Sequence, residues 1–362
     1  MLPNRDTLDH LLAGGNLSET QAAALLAGLA APGVASAMAG ALLAALRSKG
    51  VTADELRGFA VAMRALARKP ALARKPAVAP STAADSEAAL DGTLDAIDIV
   101  GTGGDASGSL NLSTGSALLT AACGLPVVKH GNRSISSRSG SADLIEQLGF
   151  AMPLDEKRAA ACFEATGFTF LFAPYFHPAM KSIAPIRAAL GVRTVFNLLG
   201  PLTNPAAPRF YLIGAFDAAA AELMADALRG MEAERAWVIH GAAGWDEATP
   251  IGPFLVFDVT RRGIERLHVD PRDFGLAQCT AADLAGGAAQ QNLAAMREVC
   301  EGRDRGAHRA ALTLQSGLAL FVAGRAATIA AGIDTAAAAL DSGRARDWLA
   351  GLERFAAASG TA

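Results

Sequence analysis

Apolar residues over the first 68 positions recur at helical spacing, and the stretch reads as a run of helices. "TADELRGFAVAMRALA" carries Thr52 as an N-cap with Glu55 three residues on, a capping box, followed by Leu56, Phe59, Ala60 and Met63 on one face. "NLSETQAAALLAGLA" opens on Ser18 with acidic Glu19 in its first turn, and "DTLDHLLAGG" offers a cap and a glycine stop. From Ala22 to Leu46 no residue is charged, but Ala and Gly dominate and Pro32-Gly33 divides the run. That predicts two small-residue helices packed on neighbours rather than a membrane span.

From Ile97 the period changes. "AIDIV" and "LPVVKHG" read as strands, with the helices "STGSALLTAACG" and "SADLIEQLG" following them. "RFYLIGAF", "AWVIHG" and "FLVFDV" are β-rich, with a helix at "DAAAAELMADALRGM", and helical patterns fill about 155–190 and about 280 to the end. The prediction is an α/β fold: a small N-terminal all-α domain plus a larger α/β domain whose central, mostly parallel sheet is flanked by helices. The boundaries fall at 1–68 for the helical domain, joined in space by helices from about 175–195, and 93–362 for the α/β domain. Between them lies 69–92; the stretch from Ala67 to Gly92 repeats "ARKP" and is rich in Ala, Pro and Ser, the composition of a solvent-exposed insertion.

Composition adds exclusions. With 362 residues, 51% of them hydrophobic, the chain can bury a large core. A formal charge of −3 supplies no basic field for nucleic acid. Cys123, Cys162, Cys279 and Cys300 form no CxxC pair and read as reduced thiols, and the polar "MLPNRDTLDH" start does not suit a signal peptide; both point to the cytoplasm.

Four stretches carry candidate chemistry. "DIVGTGGD" places a strand before a glycine loop, with Ser113 or Thr114 starting the next helix, so backbone N–H groups and a helix N-terminus are available to a phosphate; a plain turn accounts for the glycines equally well. "KHGNRSISSRSGSADLIE" sets Lys129, His130, Arg133 and Arg138 among Asn132, Ser134, Ser136 and Ser137 after the next strand, cations and hydroxyls that suit a multi-phosphate ligand. In "HPAMKSIAPIRAALGVRTVFNLLGPLTNP", His177, Lys181, Arg187 and Arg193 stand in an apolar context. Arg187 is the best candidate for an acidic ligand, and "NLLGPLTNP" reads as a pocket wall or hinge. Asp246-Glu247 in "GWDE" follows a strand and suits Mg²⁺ bridging to a ligand's phosphates, or is a pair of exposed acids in a turn.

Together, "DIVGTGGD", "KHGNRSISSRSGSADLIEQLG", "HPAMK…PIRAALGVRTVFNLLGPLTNP" and "GWDE" closely resemble the anthranilate phosphoribosyltransferases of tryptophan biosynthesis, over almost the whole chain. The resemblance implies anthranilate and phosphoribosyl pyrophosphate (PRPP) as substrates, two Mg²⁺ ions with PRPP bound, and a homodimer through the helical domain. It implies that Gly101, Thr102, Gly103, Gly104, Asp105, Ser109, Asn111, Ser113, Thr114, Lys129 and Ser141 hold PRPP. Ser113, Asp246 and Glu247 would be the metal positions. Gly101, His130, Asn132, His177, Arg187, Gly200 and Pro201 would form the anthranilate site, with His130, Asn132 and Arg187 closest to the chemistry and His130 a candidate to assist proton removal. Ala106 and Ser109 in the loop, Arg138, Trp245 before the acidic pair and "LTLQSGLALF" at Leu312–Phe321 depart from the family pattern. A nucleoside phosphorylase of the same fold would show a base-recognition pattern that is not seen here. Another aromatic or nucleobase acceptor, or a non-catalytic nucleic-acid-binding relative, are the alternatives.

Overall fold

The computed structural model describes residues 3–72, 94–105, 107–134 and 138–359. Most of the expected insertion, Ala106, Ser136 and Ser137 lie outside these residues. The N-terminal helices are α1 (Arg5–Leu12), α2 (Glu19–Ala30), α3 (Ser36–Lys49) and α4 (Ala53–Ala65). The Thr52–Glu55 capping box forms, and the same Glu55 carboxylate, buried, accepts the Leu17 N–H at 2.8 Å and meets Lys49 at 2.7 Å. One side chain thus caps α4 and ties it to the end of α3. The uncharged stretch breaks at Pro32-Gly33 into α2 and α3, and among the described residues no helix is long and apolar enough to cross a membrane.

The remaining chain builds one seven-stranded sheet, in the order β3-β2-β1-β4-β5-β6-β7. β1 (Leu94–Gly101), α5 (Leu112–Ala122), β2 (Val127–Gly131), α6 (Ser141–Gln147), α7 (Glu156–Thr166) and β3 (Phe168–Phe172) wind outward in one direction. The chain then returns through α8 (Ala173–Phe176), α9 (Met180–Leu190) and α10 (Phe196–Leu199) to β4 (Pro208–Gly214), on the other side of β1. After α11 (Ala218–Arg229) come β5 (Arg235–His240) and the antiparallel pair β6 (Phe254–Thr260) and β7 (Gly263–Val269). Helices α12 (Ala289–Cys300), α13 (Ala307–Val322), α14 (Ile329–Asp341) and α15 (Arg344–Ser359) close the chain. β1 to β5 are mutually parallel. The order reverses between β1 and β4, and the crevice beyond their carboxyl ends is where ligands bind in open α/β sheets.

Two strands escape the sequence reading. "FTFLF", inside a stretch read as helical, is β3: five consecutive apolar or β-branched residues, four of them buried, fill a strand covered on both faces and show no period-2 signal. β7 is an edge strand with only Val269 buried, and its scattered apolar residues form no run that would announce it. "NLLGPLTNP" is not an open loop: α10 runs directly into a 3₁₀ turn at Gly200–Leu202.

Strand alternation sends side chains into two cores. Leu212, Trp237 and Ile239 face a core shared with α5 and the C-terminal helices. Tyr211, Ile213, Ala236 and Val238 face the core shared with α2–α4, α10 and α11. α9 packs on α2 and α3, so the segment between β3 and β4 belongs structurally to the helical module.

Candidate active site

The loop after β1 and the acidic pair after β5 meet at the switch point. Asp246 Oδ2 accepts the Gly103 N–H at 2.6 Å. The approach is close: a Cβ at Gly101 would lie 2.4 Å from the side-chain atom Asp246 Oδ2, and one at Gly214 would lie 1.4 Å from the Asp246 carbonyl oxygen, so Gly214 must be glycine. Gly103 and Gly104 adopt φ of +67° and +74°, open to glycine at little strain. Glu247 bonds the start of α5, accepting the Ser113 N–H at 3.1 Å and the Ser109 hydroxyl at 3.2 Å. Ser113, Asp246 and Glu247 therefore lie together, lining one cavity. Asp105 joins them, its Oδ2 accepting the Asp246 N–H at 3.3 Å.

These acids are starved of counter-charge. Burial first, then the neighbouring Asp105, pushes Asp246 up to about 7. Burial, Asp246 and Asp105 hold Glu247 well above its ordinary range. The nearby cation is Lys129, fully buried, whose Nζ donates to the Ile99 carbonyl at 2.5 Å and to Ser113 Oγ at 3.4 Å. Burial brings this amine down to about 8, against the pull of Asp98, Glu247 and Asp246. Carboxylates of this kind fit a hard divalent cation, which takes few protein ligands and fills its shell from phosphates and water. Among the described residues no group of three or more His, Cys, Asp and Glu side chains makes a metal site by itself.

Adjacent residues of β2 serve opposite faces. Lys129 points to the α5 side, and His130 points to the side of the helical module. His130 Nδ1 lies 3.2 Å from the Gly200 carbonyl oxygen, and its Nε2 lies 3.1 Å from His177 Nε2. A carbonyl only accepts, so the His130 proton sits on Nδ1, and Nε2 receives the His177 N–H. Burial, with the His177 ring second, holds His130 well below its ordinary value, and burial brings His177 down to about 4. Both rings are neutral, and His130 has neither nitrogen free to take a proton in this conformation.

Beneath them lies a pair that the sequence reading passed over. Buried Asp98 accepts the His130 N–H at 3.2 Å and the Asn204 amide at 2.8 Å, and that amide also reaches the Val128 carbonyl at 2.9 Å. Burial raises Asp98 to about 6 despite Lys129. A charge at the centre of "AIDIV" was the available signal. Arg64 of α4 closes this side, donating to the Leu202 carbonyl at 2.8 Å and the Tyr211 hydroxyl at 3.0 Å.

Arg187, on α9, is half-buried with its guanidinium 5.3 Å from the Phe196 ring centroid. Among the described residues it has no acidic partner, and burial lowers it from its ordinary value. Gly200 and Pro201 sit in the turn that bonds His130. Asn132 is exposed at the end of β2, its carbonyl bonded by Ser141 Oγ at 3.1 Å. Other expected residues are turned inward. The Asn111 side chain bonds Ser139 and Asn292, and the Thr114 hydroxyl is buried without a partner. Arg133 pairs with Glu146 and Asp143 on the surface, and Arg138 and Lys181 are exposed. Trp245 is buried in the core beside the acidic pair.

Buried acids facing a glycine loop beyond the carboxyl ends of parallel strands, with two neutral imidazoles on the opposite face of β2, are the features of an α/β enzyme that binds its ligands at the switch point. Two glycosyl transferase family models match: the a/b domain over residues 93–346 and the helical bundle domain over 5–67. An anthranilate phosphoribosyltransferase from Rubrobacter xylanophilus is 43% identical over 97% of this chain and 96% of its own. The crystal structure of the Thermus thermophilus anthranilate phosphoribosyltransferase superposes with a TM-score of 0.86 at 38% identity, covering 97% of this chain and 99% of that one. The Saccharomyces cerevisiae enzyme, solved in complex with PRPP and Mg, shares the fold at a TM-score of 0.84 and 24% identity over 98% of this chain and 99% of that one. The chain belongs to the anthranilate phosphoribosyltransferase family.

Proposed function

We propose that this protein transfers the phosphoribosyl group of PRPP to the amine of anthranilate, giving N-(5-phosphoribosyl)anthranilate and pyrophosphate, the second step of tryptophan biosynthesis from chorismate. The observation that carries this reading is the pair of buried acids facing the glycine loop, together with the half-buried Arg187 of α9, which has no acidic partner among the described residues. The acids' raised pKa values favour a cation that neutralises them, and the unpaired guanidinium favours a carboxylate.

In this reading the loop from Gly101 to Asp105, Ser109, Ser113 and Lys129 hold the pyrophosphate of PRPP. Asp246, Glu247 and Ser113 would hold Mg²⁺, which when bound withdraws charge from the leaving oxygen. The C1′–O bond breaks with its electron pair leaving on pyrophosphate, the anthranilate nitrogen bonds to C1′, and the nitrogen gives up its proton to water. Lys129 and the loop N–H groups stabilise the charge that collects on the leaving group. Arg187 fixes the acceptor by its carboxylate, while His130, His177, Gly200 and Pro201 wall the ring and Asn132 borders it. Holding the amine beside C1′ supplies proximity. An aromatic amine is neutral at pH 7 and needs little activation, which agrees with two neutral imidazoles that offer no strong base. A homodimer through the helical module and a cytoplasmic location go with this reading. Mass spectrometry of the product tests it: anthranilate is converted and uracil is not, and conversion of uracil alone would move the protein to nucleoside chemistry.

A further inference from the structure

Arg193 stands outside both subsites, yet its contacts join three parts of the molecule. α9 ends at Gly191 in the left-handed region, φ +62°, and the chain turns to bring Arg193 over the glycine loop. Its Nη2 donates to the Gly104 carbonyl at 2.6 Å, and its guanidinium lies 4.0 Å from the Phe216 ring centroid. The Phe216 N–H donates to Thr102 Oγ1 at 3.1 Å, so the stacking partner is itself tied to the same loop. The Arg193 carbonyl accepts from Arg47 of α3 at 2.5 Å, which anchors the segment to the helical module.

The contact with Gly104 fixes more than one atom. The Gly104 carbonyl and the Asp105 N–H belong to one trans peptide and point in opposite directions. Glycine at φ +74° leaves this unit free to rotate, so an external contact must choose its orientation. With the carbonyl drawn to Arg193, the Asp105 N–H faces away from Arg193. Among the described residues the N–H groups of Gly104 and Asp105 have no acceptor, whereas that of Gly103 is committed to Asp246. We infer that Arg193 is a positioning residue for the donor substrate: it holds the Gly104–Asp105 peptide so that the loop presents its uncommitted N–H groups to the pyrophosphate of PRPP. The inference rests on the function proposed above.

The test compares Arg193→Met and Arg193→Lys with the wild type, measuring PRPP binding by calorimetry and the KM of each substrate. Arg193 is exposed, so both variants retain the fold, which a thermal melt verifies. Arg193→Met raises the Kd and KM for PRPP about tenfold and leaves the anthranilate KM within about twofold. Arg193→Lys, which keeps a donor but not the flat stack on Phe216, falls between the two. A wild type that does not bind PRPP overturns the functional reading and this inference with it. A wild type that binds PRPP alongside an unchanged Arg193→Met overturns the inference alone, as does an equal rise in both KM values.

Discussion

Replacing Arg187 with Met separates function from stability in a way that ordinary core damage does not. The guanidinium is half-buried, stacked near Phe196 at 5.3 Å, and without an acidic partner among the described residues. Its pKa is lowered by burial, so the folded state disfavours its charge. Methionine keeps an apolar stem for Phe196 and removes that charge, while the lost cation–π contact is worth about 0.5–1 kcal/mol. The expected change in unfolding free energy is therefore within about 1 kcal/mol. The acceptor loses a charge-assisted contact worth about 1.5–3 kcal/mol, a rise in anthranilate KM of roughly 10- to 150-fold. Steady-state kinetics with each substrate varied in turn, beside urea unfolding of the same samples, reads both quantities. A PRPP KM that rises as much as that of anthranilate refutes the assignment. So does a loss of several kcal/mol of stability, which would make Arg187 a structural residue.

Further outcomes follow from the same geometry. Gly101→Ala places a Cβ 2.4 Å from Asp246 Oδ2, a side-chain atom that can rotate away, so the fold survives and the Mg²⁺ response weakens. Gly214→Ala meets the Asp246 main chain at 1.4 Å, so backbone must move and stability falls by about 3 kcal/mol; a thermal melt and a Mg²⁺ titration of the two variants distinguish the cases. Asp246→Asn combined with Glu247→Gln raises the Mg²⁺ concentration for half-maximal rate more than about tenfold, and an unchanged titration removes both from the metal site. Lys129 carries the pH dependence above pH 8. Its amine falls from 10.5 to about 8 on folding, so the unfolded chain binds more protons between those values and stability rises with pH across that window. Relative to Lys129→Met, the wild type gains about 3 kcal/mol between pH 8 and 10.5, measured by denaturant unfolding; a constant difference contradicts the buried charge.

How far the sequence alone discloses this site depends on the range of each contact. The Thr52–Glu55 cap is three residues long and could be read directly. The Lys129-His130 pair could be placed at a strand end, and period-2 alternation then sends the two side chains to opposite faces. β3 could not be recognised, because a strand buried on both faces has the same apolar continuity as a buried helix. The charge of Asp98 inside an apolar strand was visible, but its partner Asn204 is 106 residues away. Arg193 was visible as a cation, yet its partner Gly104 lies 89 residues earlier. The family resemblance placed Asn111 on PRPP, whereas its side-chain oxygen accepts from Asn292 of α12. Motif order locates the site, and only the long-range packing decides which polar side chains face it.

The proposed function requires one cleft to hold the amine of anthranilate beside a metal-bound phosphoribosyl donor. Anthranilate fluorescence in the presence of the purified protein, PRPP and Mg²⁺ measures it directly. The signal is expected to fall only when protein, donor and metal are all present, with one pyrophosphate released for each anthranilate consumed. A folded protein that binds PRPP and leaves anthranilate fluorescence constant would contradict it.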